Sequence, residues 1–156
     1  MKMIKTLFLI LIMMFCIESV AARQAGSMRS ISHDTIPSLF KGNFIDDYGI
    51  SYSINDSLWT QHPHSKYHII VWDTLSQFIL ARNDDSNPAE GGLFTRIDYM
   101  KFRNMEPFQW GFCLTVYNAK TIKDARTRAK SDTLNPKTGC GGYPFSRMRI
   151  VLEKEL

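Results

Sequence analysis

The sequence predicts a mainly β domain: an antiparallel meander forming a small barrel or a sandwich, with one short helix in its C-terminal half. Three observations carry that reading. Apolar and aromatic residues recur with period two in short runs. Turn formers separate those runs at the spacing of sandwich and barrel strands. A single stretch, beginning at Thr121, combines an N-capping residue with good helix formers.

The elements follow in order. Residues 23–37 are small and polar, without a period, and read as a flexible N-terminal stretch. Tyr48, Ile50, Tyr52 and Ile54 alternate with Gly49, Ser51 and Ser53, and Asn55-Asp56-Ser57 then forms a turn. Leu58-Trp59-Thr60 is a second strand, ended by Gln61-His62-Pro63-His64 because proline cannot continue a central ladder. Lys66 to Asp73 and Gln77 to Asn83 are separated by only Thr74-Leu75-Ser76, which requires an antiparallel hairpin. Asp84 to Gly92 is a loop, Leu93 to Phe102 returns as a strand, Asn104 to Pro107 turns, and Gln109 to Tyr117 is a further strand. Thr121 caps the helix, and its thin apolar stripe of Ile122, Ala125 and Ala129 predicts that it lies on the outside of the sheet. A last strand covers Phe145 to Leu152.

Lys2 and Lys5, an apolar stretch from Leu7 to Phe15, and the small residues Ser19-Val20-Ala21-Ala22 have the order of a secretory signal peptide over residues 1–22. A membrane anchor needs roughly 20 apolar residues, and Glu18 and Arg23 interrupt the run. The expectation is therefore an exported chain, secreted or periplasmic, with no transmembrane segment after cleavage. Residues 38–156 would form one β domain, too short for a Rossmann enzyme or a TIM barrel. Loss of Lys2, Lys5 and Glu18 lowers the formal charge from +4 to +3. The remaining cations are scattered, and Arg126, Arg128 and Lys130 sit near Asp124 and Asp132 as on a solvated helix face, so nucleic acid is not an expected partner. Cys16 leaves with the signal, and the remaining pair, Cys113 and Cys140, is expected to form one disulfide. Its closure is worth on the order of 3 kcal/mol by chain entropy.

Catalytic motifs do not emerge: neither a G-x-S-x-G elbow, nor an H-E-x-x-H helix, nor a phosphate loop is present. His62, His64 and His68 read as loop histidines rather than a metal site, and no cofactor is assigned. Asp46-Asp47 and Asp84-Asp85 sit at turns, where carboxylates shape backbone. Asn55-Asp56-Ser57 fits the N-glycosylation sequon. The strands themselves are more informative. Leu93 to Phe102 mixes polar and apolar residues on both faces, as in a sheet covered on both sides or a barrel with a lined cavity. Tyr52, Trp59, Trp72, Arg82, Arg96, Asp98 and Tyr117 are the residues expected to line such a cavity.

Gly42-Asn43-Phe44 opening a strand, the meander, the late helix and a disulfide near the C-terminus make the chain resemble lipocalins and other calycin-type barrels, with Phe44 where the lipocalin opening pattern has tryptophan. The stretches Trp110 to Tyr117 and Gly139 to Ser146 are also similar to small exported bacterial proteins. The reading that follows is a secreted, disulfide-stapled barrel that binds a small or amphipathic ligand. The alternative is a surface module for a protein partner, and a small hydrolase using the His62 to His68 region ranks last.

Overall fold

A computed structural model describes residues 36–151. The export segment over 1–22 and nearly all of the polar stretch 23–37 lie outside those residues. Eight strands close into an antiparallel up-and-down barrel: β1 (Gly42–Asp46), β2 (Ser51–Ile54), β3 (Leu58–Gln61), β4 (Ser65–Asp73), β5 (Phe78–Asn83), β6 (Phe94–Lys101), β7 (Trp110–Ala119) and β8 (Ser146–Ile150). Each strand pairs with its sequence neighbour, and β8 returns to β1 with Phe44 opposite Ile150 and Asp46 opposite Met148. Closure satisfies the backbone groups that edge strands would leave bare. The one α-helix among the described residues, α1 (Ile122–Thr127), stands between β7 and β8.

The alternation from Tyr48 to Ile54 overruns the real strand. Asp46 Oδ1 accepts hydrogen bonds from the backbone N–H groups of Tyr48 and Ile50, each at 2.9 Å, and Gly49 takes a φ of 83° that favours glycine. A tight hairpin therefore replaces the first half of the expected strand, leaving Tyr48 exposed at its tip. Gly42–Asp46 becomes a separate strand.

The lumen is filled by side chains, as an eight-stranded barrel allows. Phe44, Tyr52, Ile54, Trp59, Trp72, Ile79, Ile97, Tyr99, Trp110, Phe112 and Met148 are all buried there as one cluster. The rings meet edge-on or tilted: Trp59 lies 5.1 Å from Phe112 and 5.9 Å from Trp110 between centroids. Such contacts add to area burial, and each ring removes about 150–250 Å² from water. One end is plugged. A 3₁₀ turn at Ser38–Phe40 places Phe40 4.7 Å from Tyr99 and 5.1 Å from Trp110, and Ile36 is buried with it.

The outer wall of β5, β6 and β7 is covered as well, which accounts for the mixed faces of β6. A bulge in β7 is responsible: Ile97 pairs with Leu114 but Arg96 with Val116, so Thr115 is the extra residue. Leu114 therefore packs against the lumen cluster, while Val116 joins Phe78, Leu80, Ala119 and Ala125 outside, under α1. The apolar run Trp110, Phe112, Leu114, Val116 is thus split between two faces rather than forming one. Helix α1 begins as expected, with the Thr121 hydroxyl accepting the Asp124 N–H at 3.1 Å, but it ends before Ala129, which is exposed.

Cys113 and Cys140 form a disulfide across a Cα separation of 5.6 Å, holding the segment after α1 against β7. No helix among the described residues is long and apolar enough to cross a membrane.

Candidate functional site

Opposite the Phe40 plug, the barrel opens at the end where β5 passes into β6. The loop between them, 84–93, is tied down from three sides. From within, Asn83 is 1% exposed and its side-chain amide donates to the backbone oxygens of Glu90 and Tyr117, each at 2.9 Å, while its Oδ1 accepts the Thr95 hydroxyl. From outside, Arg82 donates to Asp85 at 2.7 Å and His68 Nε2 lies 2.7 Å from Asp84 Oδ2. From the side, Asn87 accepts the Lys66 N–H at 2.8 Å and donates to the Lys66 carbonyl at 2.9 Å. Bonds from the Ser86 hydroxyl and N–H, and then from His68, hold the Asp84 carboxyl well below the usual carboxylate range. Glycine is required where the loop folds back: a Cβ on Gly91 would sit 2.9 Å from the Asp85 carbonyl oxygen, and Gly92 takes a φ of 76°.

This pinned loop walls a cleft of about 230 Å³ lined by Ser65, Tyr67, Asn83, Pro88, Ala89, Glu90, Leu114 and Tyr117. Tyr67 is half-buried beside Trp59, and burial raises its phenol above the ordinary value. Tyr117 is 52% exposed, an aromatic ring left at the rim. The Glu90 carboxylate carries no bond among the described residues. Two tyrosine faces, an acceptor carboxylate and a leucine floor give the cleft an apolar surface and a polar corner.

Of the seven residues expected to line a cavity, only Tyr117 reaches this cleft. Tyr52, Trp59 and Trp72 face the lumen, but as packing: the Tyr52 hydroxyl donates to Asp46 at 2.9 Å and the Trp72 indole to Tyr99 at 3.1 Å. Burial, then the bond to Asp46, raises the Tyr52 phenol far above its ordinary value. Arg82 lies on the outer side as a loop anchor. Arg96 and Asp98 are brought together, yet on the outer wall under α1. Asp98 accepts Arg96 Nε at 2.8 Å, the Thr115 hydroxyl at 2.8 Å and the Ser131 N–H at 2.7 Å. Arg96 donates to the Arg126 carbonyl at 2.6 Å and lies 4.2 Å above the Phe78 ring. The pair thus clamps the end of α1 and the segment beyond it to the barrel. Ser65, Tyr67, Glu90 and Leu114 were not singled out by sequence, which read the glycine-ended stretch after Asn83 only as a loop.

The histidines are separated. His62 Nε2 lies 2.8 Å from Ser53 Oγ, which also donates to Asn43, whereas His68 is committed to Asp84. Nothing among the described residues orients the second ring nitrogen of His62. Comparison with family models, with curated proteins and with solved structures finds no match.

Proposed function

We propose that the protein is an exported binding module of the calycin type that holds a small ligand at the mouth of its barrel rather than in the lumen. The rigid cleft under the 84–93 loop is the observation that carries this reading. Three independent sets of side-chain bonds hold the loop that walls it, and such preorganisation lowers the ordering cost of binding. The lumen, in contrast, is occupied by the protein's own rings. The disulfide and the sequence pattern of residues 1–22 support export.

The lining selects for a ligand with one apolar face to stack on Tyr67 or Tyr117 and donor groups for Glu90, as a pyranose ring or a small amine offers. Calorimetric titration with neutral mono- and disaccharides and with small ammonium compounds tests it. One class is expected to bind, and Tyr117→Ala and Glu90→Gln should each weaken that binding by about tenfold, the loss of one good contact. Absence of binding by both classes, or binding indifferent to both substitutions, contradicts the proposal.

A protein partner is the second reading. The filled lumen and the exposed Tyr48, Leu134 and Tyr143 favour it.

A further inference from the structure

A second cleft lies on the outer wall, built where the disulfide-pinned segment meets the β6–β7 connection. Phe102 folds back over Gly111, where a Cβ would stand only 2.6 Å from its ring, so glycine is needed for the ring to lie there. Phe145 is fully buried beside it, in a cluster with Met100 and Cys113. Its N–H donates to the Pro136 carbonyl at 3.0 Å, which joins the two ends of the segment stapled by Cys140. Between these walls is a hollow of about 200 Å³ whose apolar surface comes from Phe102, Met105, Pro136, Pro144 and Phe145.

Its polar groups are one anion and two cations. Asp47 is fully used: Oδ2 accepts Arg147 Nε at 2.8 Å and Oδ1 accepts the Arg147 N–H at 2.9 Å. Arg147 is thereby fixed, with its guanidinium 4.8 Å above the Phe108 ring, and its two terminal nitrogens remain without a bond among the described residues. Lys137 has no counter-ion there either. An apolar hollow with one net positive charge at its rim complements a ligand of opposite design, an apolar body ending in a single carboxylate.

We propose that this outer-wall cleft binds a small apolar monocarboxylate, its chain or ring between Phe102, Met105 and the two prolines and its carboxylate on Lys137 and Arg147. The site is separate from the mouth cleft, shares no lining residue with it, and does not depend on that reading.

Octanoate and phenylacetate are the probes, followed by calorimetry and by amide shifts in heteronuclear NMR. Both should bind, with shifts at Met105, Lys137 and Phe145. Octylamine should bind at least tenfold more weakly. Lys137→Met, an exposed substitution that leaves the fold intact, should weaken octanoate by about tenfold, as expected for one charge-assisted bond. Tyr117→Ala should leave octanoate binding unchanged, so failure here and failure at the mouth are separable. The proposal is overturned if octanoate does not bind, if octylamine binds as well, if Lys137→Met has no effect, or if the shifts fall in the lumen or at the mouth. It is also overturned if the protein is a dimer in solution that Met105→Lys dissolves, since a second copy would then fill the cleft.

Discussion

The lumen and the mouth of this barrel draw on the same strands and the same residue types, and they use tyrosine in opposite ways. Tyr52 and Tyr99 are buried in the lumen, 3% and 2% exposed, and each hydroxyl has a partner in the fold. Tyr67 and Tyr117, at the mouth, keep a face towards the cleft. A buried hydroxyl must be bonded internally or it costs free energy, so lumen tyrosines are committed to structure. The exposed Tyr117 at the rim carries no such obligation, and its ring remains available to a ligand. The lesson is that burial, more than residue type, divides structural aromatics from binding ones here.

Substitutions in the lumen should show the largest effect. Trp59→Ala removes a fully buried indole and is expected to cost about 3–5 kcal/mol in chemical denaturation, as large-to-small changes in cores do. A loss near zero would mean that the lumen is loosely packed, and the contrast with the mouth would break.

The outer wall comes next. Asp98→Ala strands the Arg96 guanidinium under α1, and breaking a buried pair in this way costs about 3–5 kcal/mol. The paired change of Arg96→Met with Asp98→Leu should cost much less, because no charge is left buried. Equal costs would show that the ion pair is not what fixes α1. Reducing Cys113–Cys140 should lower stability by on the order of 3 kcal/mol by the chain-entropy estimate, read as a fall in Tm with dithiothreitol.

Titration sharpens the comparison further, because the two regions fail at opposite ends of the pH scale. The Tyr52 phenol is raised above its unfolded value of 10.0, so its contribution is complete below that pH and is lost as pH rises beyond it. Asp84 at the mouth is depressed below 3.8, so its contribution is present above that pH and is lost as pH falls through the acid range. Hydrogen exchange should accordingly increase first in the 84–93 loop in acid, while Tyr52→Phe should shift the alkaline unfolding transition upward. The smallest effect is expected at the rim: Tyr117→Ala should change stability by no more than about 0.5 kcal/mol.

Much of the fold was legible in the sequence because strand alternation, turn formers and the Thr121 cap are local signals. The disulfide followed from counting cysteines after removing Cys16. What misled were the local exceptions to period two. The turn at Tyr48 to Ile50 continues the alternation of β2, and the Asp46 side chain, which bonds two backbone N–H groups, together with the positive φ of Gly49, divides them. The bulge at Thr115 turns Val116 outward, and a one-residue shift of this kind cannot be read from an apolar run. The candidate site was less legible for the same reason. Arg96 and Asp98 stand two residues apart on one face of β6, but which side of the wall that face meets depends on the register of β6 against β7 and on what α1 covers. The mouth residues come from three strands, β4, β5 and β7, and one loop, brought together only by closure of the barrel.

The division between lumen and mouth is tested most directly by one NMR titration. The Trp110 indole N–H has no hydrogen-bond partner among the described residues and sits among the rings of Phe40, Phe44 and Trp59, so its resonance reports anything that enters the lumen. Disaccharides and small ammonium compounds are added to the isotope-labelled protein, and that signal is followed beside the amides of Tyr67, Glu90 and Tyr117. Binding at the mouth predicts that the three amides shift with one saturable curve while the Trp110 indole stays in place. A moving indole with unmoved rim amides would contradict it.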